Sequence, residues 1–159
     1  MKGLLIKDWK TLLKQMKVML AITALLACVP STYMSAFALF YAAMLPITAL
    51  AYDERAKWDE LAAMMPYTAK AIVGSKYVLG LTLVLQVLVL SMLSRLFVHS
   101  TPIVSEETMS LLITACLSLI LMAIDLPFMF HFGVEKGRLI YILLTCVFVV
   151  AGVNYAGKL

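Results

Sequence analysis

Charge is scarce in this chain. Asp, Glu, Lys and Arg make up 14% of its 159 residues, while 64% are hydrophobic. A soluble domain carries about 25% charged and about 45–50% apolar residues, so an ordinary aqueous globule and a disordered chain are both excluded. Cysteine is scarce too. Cys28, Cys116 and Cys146 each sit in an apolar run, and none is in a C-x-x-C spacing. That pattern argues against a disulfide framework or a zinc site and reads as three buried thiols acting as small hydrophobes. Catalytic signatures are missing as well: there is no H-E-x-x-H, no G-x-S-x-G, no P-loop and no pair of intramembrane aspartates. Asp125 is the sole carboxylate within an apolar run. An intramembrane enzyme would need ionisable groups facing each other, so the chain reads as neither an enzyme nor an ATPase, with no metal and no cofactor of its own. No basic stretch is interleaved with aromatics as nucleic-acid binding would require.

What is present is long apolar sequence. Val18 to Leu50 runs 33 residues without a charge. As one helix that would be about 50 Å long, against a hydrocarbon core of about 30 Å. Pro30-Ser31-Thr32 offers a break. Two spans are therefore predicted, at about 14–30 and 33–52, followed by others at 77–98, 108–130 and 139–155. The expected fold class is all-α: a polytopic α-helical membrane protein, one transmembrane domain over 1–159 with about five spans. Eleven of the 13 Lys and Arg residues fall in the N-terminal segment, the 53–76 stretch and the 131–138 loop. The positive-inside rule then places those segments in the cytoplasm and the 99–107 loop, with Pro102, outside. Arg95 and Lys158 are the exceptions, and Arg95 is expected to snorkel outward from the end of its span.

Residues 2–17 form an amphipathic pattern. On a helical wheel Leu5, Trp9, Leu12, Leu13 and Met16 share one sector, and Lys7, Lys10, Lys14 and Lys17 the adjacent one. Such a helix suits the headgroup layer and anionic lipid. A signal peptide is the alternative, but the following apolar run far exceeds an h-region of about 7–15 residues.

The 53–76 stretch carries four acids (Asp53, Glu54, Asp59, Glu60) and four bases (Arg55, Lys57, Lys70, Lys76). Its charge is balanced, so it is not simply a lipid-binding patch. Leu61, Met64 and Met65 can share a face behind Trp58, and Pro66 stops the helix. A short mixed-charge helix under the membrane suits docking of a soluble partner; the plain alternative is a solvated loop. Asp125, just before Pro127, has two readings: a cap or ion pair at the inner leaflet with Lys76 or Lys136, or a group lining a substrate path or gate. Gln86, mid-span, reads as a packing amide or as part of the same path. The 11 methionines suit an adaptable apolar surface.

Three blocks carry a resemblance. Met1, Lys2, Gly3, Leu4, Leu5, Lys7 and Asp8 open the chain. Tyr52, Asp53, Glu54, Arg55, Lys57 and Trp58 follow the second span, with Pro66, Lys70, Ile72, Val73, Ser75, Lys76 and Tyr77 after them. Leu126, Pro127, Phe132, Gly133, Glu135, Lys136 and Arg138 form the third block. In this order they resemble the compact bacterial ABC type-2 transporter permeases, with Met65 before Pro66 as a departure. The resemblance implies a permease subunit of an ABC exporter in the bacterial cell membrane, usually with six spans. It implies pairing with a second permease subunit, homo- or heterodimeric, and docking of ABC ATPase subunits that bind ATP and Mg. It makes the N-terminal helix the interfacial connecting helix (Lys7, Trp9, Lys10, Lys14, Lys17). Residues 53–70 become the ATPase-coupling element, with Asp53, Glu54, Arg55, Lys57, Trp58, Pro66, Lys70 and Lys76 as its site residues. Expected substrates are peptides, lipids or antibiotic-like molecules. The rival reading is a non-transporting immunity or regulatory membrane subunit that binds partner helices.

Overall fold

The computed structural model of the chain describes residues 2–29, 31–64, 68–99 and 106–156. Pro30, Pro66, Pro102 and Lys158, on which readings above depend, lie outside the described residues. The described residues form seven helices: α1 (Lys2–Gln15), α2 (Lys17–Cys28), α3 (Thr32–Arg55), α4 (Trp58–Ala63), α5 (Ala69–His99), α6 (Glu106–Phe132) and α7 (Val134–Ala156). Helix is the form in which an apolar segment satisfies its own backbone inside lipid. Among the described residues, α3, α5 and α6 are long and apolar enough to cross a membrane. The protein is a multi-pass, all-α membrane protein.

The first predicted span comes out differently. The helix does not run through 14–30: Met16 leaves helical geometry (φ −118°, ψ 20°), and the chain bends by 81° between α1 and α2. The 12 residues of α2 reach about 18 Å, short of a bilayer core. Taken together, α1 and α2 are a bent pair that makes a fourth candidate span only if the two are counted as one. The break near Pro30-Ser31-Thr32 falls where expected, with Ser31 extended (φ −115°, ψ 131°) before α3.

The 53–76 stretch is mostly helix. α3 continues to Arg55, α4 follows after a left-handed residue, Lys57 (φ 51°), and α5 begins at Ala69, eight residues before the predicted span. The predicted 131–138 loop shrinks to one residue. Gly133, at φ 87°, is the whole joint between α6 and α7. A side chain at that φ would cost about 1–2 kcal/mol, which is why the hinge is glycine.

α3 is the central helix and touches every other one. Its buried face is built of small residues, with Ser35, Ala38, Ala42 and Ala43 wholly enclosed. Small side chains let helices approach closely where lipid gives no hydrophobic drive to associate. Gly80 on α5 serves the same purpose: a Cβ there would overlap Met122 of α6 and Pro46 of α3. Interhelical hydrogen bonds add direction. Tyr141 on α7 donates to the Phe40 carbonyl of α3 at 2.7 Å, and Tyr77 on α5 donates to the Ala123 carbonyl of α6 at 3.2 Å. Outward faces are apolar, as with Phe37, Leu85, Ile113 and Leu143. The three cysteines are on such faces, exposed rather than buried, because the surface of a span faces lipid instead of water.

Candidate functional site

A buried charge cluster gathers where α1, α3 and α5 meet. Lys76, on the second turn of α5, has a side chain only 2% exposed. Its ammonium donates to Asp8 Oδ1 of α1 at 2.8 Å and to Asp53 Oδ2 of α3 at 2.5 Å. Lys7 donates to the other oxygen of Asp53 at 2.7 Å and lies 3.4 Å from Asp8 Oδ1. The Ser75 hydroxyl sits 3.2 Å from Asp8 Oδ2 and 2.8 Å from the Ile72 carbonyl. Two lysines and two aspartates cancel, and all four carboxylate oxygens have a partner. That closure is what buried charge requires, since an unpaired ion away from water costs several kcal/mol or more. The cluster also reaches outward: the Lys7 ammonium lies over the ring of Trp58 in α4, 4.0 Å from its centroid.

Asp8, though part of the opening block of the sequence, is the acid to which the sequence reading gave no role. It occupies the stripe Leu4–Asp8–Leu12–Met16, spaced four apart and buried throughout. An acid in the middle of an apolar stripe is the signal that finds it. The same stripe reorients α1. Trp9 and Leu13, expected with Leu12 and Met16 on one apolar face, are 41% and 52% exposed. Lys10, Lys14 and Lys17 are exposed, while Lys7 turns inward to Asp53.

The expected coupling residues separate into three groups. Asp53 and Lys76 enter the cluster, so their charges are spent inside the chain rather than presented at a docking face. Glu54 and Arg55 line an open groove against the α6–α7 joint. Lys57, Trp58 and Lys70 stay with α4 and the start of α5. Lys57 pairs loosely with Glu60 at 3.6 Å, both largely exposed; Trp58 is half-buried and Lys70 exposed. Along α4, Leu61 is 49% and Met64 84% exposed.

Asp125 forms neither of the ion pairs expected of it. It is fully buried, neither of its oxygens has a hydrogen-bond partner among the described residues, and Lys76 is occupied by Asp8 and Asp53. Lys136 lies exposed beside the groove. Gln86 is exposed on the flank of α5, in an apolar groove with Trp9, Leu13 and Leu90. Arg95 does not snorkel into water. At the far end of the bundle it is buried, donating to Glu107 of α6 at 3.2 Å and to the Thr32 hydroxyl of α3 at 3.2 Å. Among the described residues no group of three or more His, Cys, Asp or Glu could hold a metal ion.

The model of a protein family described as "ABC-2 family transporter protein" matches residues 3–157. The chain belongs to the ABC-2 transporter family. Comparison with curated proteins and with solved structures finds no match. As an ABC-2 family member the chain is a membrane-embedded, permease-type component of an ABC transporter, and the family in general works with an ABC ATPase.

Proposed function

We propose that this chain is the permease subunit of an ABC exporter in the bacterial cell membrane, and that α4 is the element through which a partner ATPase moves the spans. The N-terminus and the α4 end of the bundle lie in the cytoplasm, as the distribution of Lys and Arg favours. Two permease subunits pair, and ATP and Mg are bound by the ATPase. The exported substrate is a peptide, a lipid or an antibiotic-like molecule. One observation carries the reading: α4 is joined to the bundle through Trp58 over Lys7, and Lys7 leads directly into a cluster that ties α1, α3 and α5 together.

In this mechanism Leu61 and Met64 supply the apolar contact to the ATPase, with Lys57, Glu60 and Lys70 as its polar rim. When the ATPase closes on ATP, α4 shifts. Trp58 draws Lys7 with it, and Lys7 pulls on Asp53 at the end of α3. Because every charge in the cluster is paired, the three helices move together or the cluster must break. Gln86 belongs to α5, which such a movement repositions, and Asp125 to α6, which packs against α3 and α5; each is a polar group in an apolar setting, as a substrate path or gate requires.

The test separates docking from coupling. Leu61→Asp with Met64→Asp should abolish co-purification of the ATPase. Trp58→Ala should keep the ATPase bound but remove stimulation of its activity by substrate in the reconstituted complex. Wild-type behaviour of both variants would mean that docking uses another surface, or that the chain is a non-transporting regulatory subunit. Orientation is tested separately: with the native cysteines replaced by serine, a cysteine at Thr68 should resist a membrane-impermeant label in intact cells. Labelling there would overturn the topology.

A further inference from the structure

An open groove of about 690 Å³ lies between the C-terminal end of α3 and the α6–α7 joint. Three bases line it: Arg55, Lys136 and Arg138. Among the described residues none of the three has an ion-pair partner within the chain. Two carboxylates, Glu54 and Glu135, line it too. Its polarity is graded along the helix axes. Glu54, Arg55, Glu135 and Lys136 occupy the outermost turns of α3 and α7. Ala51 lies a turn deeper on α3, and Leu139 and Ile142 lie deeper on α7. The apolar side continues outside the groove, since Leu139, Leu143 and Val147 are 69%, 65% and 55% exposed.

We infer that this groove binds an anionic phospholipid, with its phosphate on Arg55, Lys136 and Arg138 and its upper acyl chain along Leu139 and Ile142. Apart from Phe132 and Val134 at the joint, the order of the lining matches one bilayer leaflet: charge from the helix ends as far as Arg138, hydrocarbon from Leu139 inward. A docking protein would meet the charged turns but would leave the apolar strip of α7 to lipid. Basic pockets between spans at a membrane surface are headgroup sites by this same arrangement. Three bases against two acids favour a headgroup with net negative charge. The two carboxylates can accept hydrogen bonds from headgroup hydroxyls, such as those of phosphatidylglycerol. Choline offers no such donor. The inference needs the chain to span a membrane with this end at its surface; it does not need α4 to be the ATPase contact.

The probe is phosphatidylglycerol, added to the full chain purified in neutral detergent and read by native mass spectrometry as lipid retained per chain. Phosphatidylcholine serves as comparison. Retention of phosphatidylglycerol should exceed that of phosphatidylcholine. Each of Arg55→Gln, Lys136→Gln and Arg138→Gln should weaken it roughly five-fold. Leu139→Ser should also weaken it, by removing acyl contact without touching a charge, and circular dichroism should show unchanged helix content in all four variants. Equal retention of both lipids, or no response to the Gln variants, would overturn the inference. Displacement of the lipid by an equal concentration of inorganic phosphate would also overturn it, leaving a bare phosphate site. So would exclusion of the lipid by the bound ATPase, which would make the groove a protein contact. Failure of the ATPase to co-purify would bear on the coupling mechanism alone.

Discussion

The two ends of the bundle solve the same problem in different ways. Each must hold a cation that a long helix carries to the edge of the apolar layer. At the α4 end, Lys76 is enclosed by two carboxylates from two other helices, and a second lysine balances the charge. At the far end, Arg95 has, among the described residues, one carboxylate, Glu107, whose side chain is 62% exposed, and its Nε has no partner among them. The first arrangement closes on itself, with Lys7 its most exposed member at 23%; in the second the carboxylate is largely exposed. A closed cluster transmits displacement, because no member can leave without stranding an opposite charge. An open pair tolerates it, because water can replace the partner. In the mechanism proposed above, the end of the molecule that moves with a partner is thus the end at which helices are locked together.

Removing Lys76 should break this contrast most severely. Lys76→Ala leaves two acids facing one lysine away from water, and about 3–5 kcal/mol of stability should go with it. The loss should be seen as a large fall in the thermal transition of the detergent-solubilised protein. Asp8→Asn should cost less, about 1–3 kcal/mol, because the amide still fills the space and Lys76 keeps Asp53. If Asp8→Asn proves neutral, α1 is held through Lys7 and not through Asp8. Glu107→Gln should have the smallest effect, below about 1 kcal/mol, as expected of a pair with one exposed partner. Salt sharpens the comparison. Raising NaCl toward 1 M should erase the effect of Glu107→Gln and leave that of Lys76→Ala in place, since buried pairs are screened much less.

Local pattern made the helices legible but not their charges' partners. The apolar runs, the break before Thr32 and the amphipathic first helix follow from hydrophobic periodicity and turn residues near the site. The pairing of Lys76 with Asp8 spans 68 positions and cannot be read from any window along the chain. Balanced charge at 53–76 suggested a surface element, whereas burial divides it: Asp53 faces inward, and Arg55, two residues on, faces the groove. The loop expected at 131–138 came from counting polar residues there. Gly133 alone makes the reversal, because its φ of 87° is open to glycine, and the flanking polar residues stay helical. Asp125 shows the limit most clearly. Its depth in the span was evident, but whether it meets a partner depends on which side chains three other helices bring near it.

The cluster also has a direction in time. The chain is made from its N-terminus, so Asp8 and Asp53 exist before Lys76 does. Lys7 alone offsets the two acids at that stage, leaving the meeting point of α1 and α3 one charge short of neutral. Once α5 is made, Lys76 supplies the charge that Asp8 and Asp53 lack, and closing the site fixes α5 in register against both earlier helices. The first half of the protein is in this sense a mould for the second, and the helix bearing the most hazardous charge is the last of the three to be set.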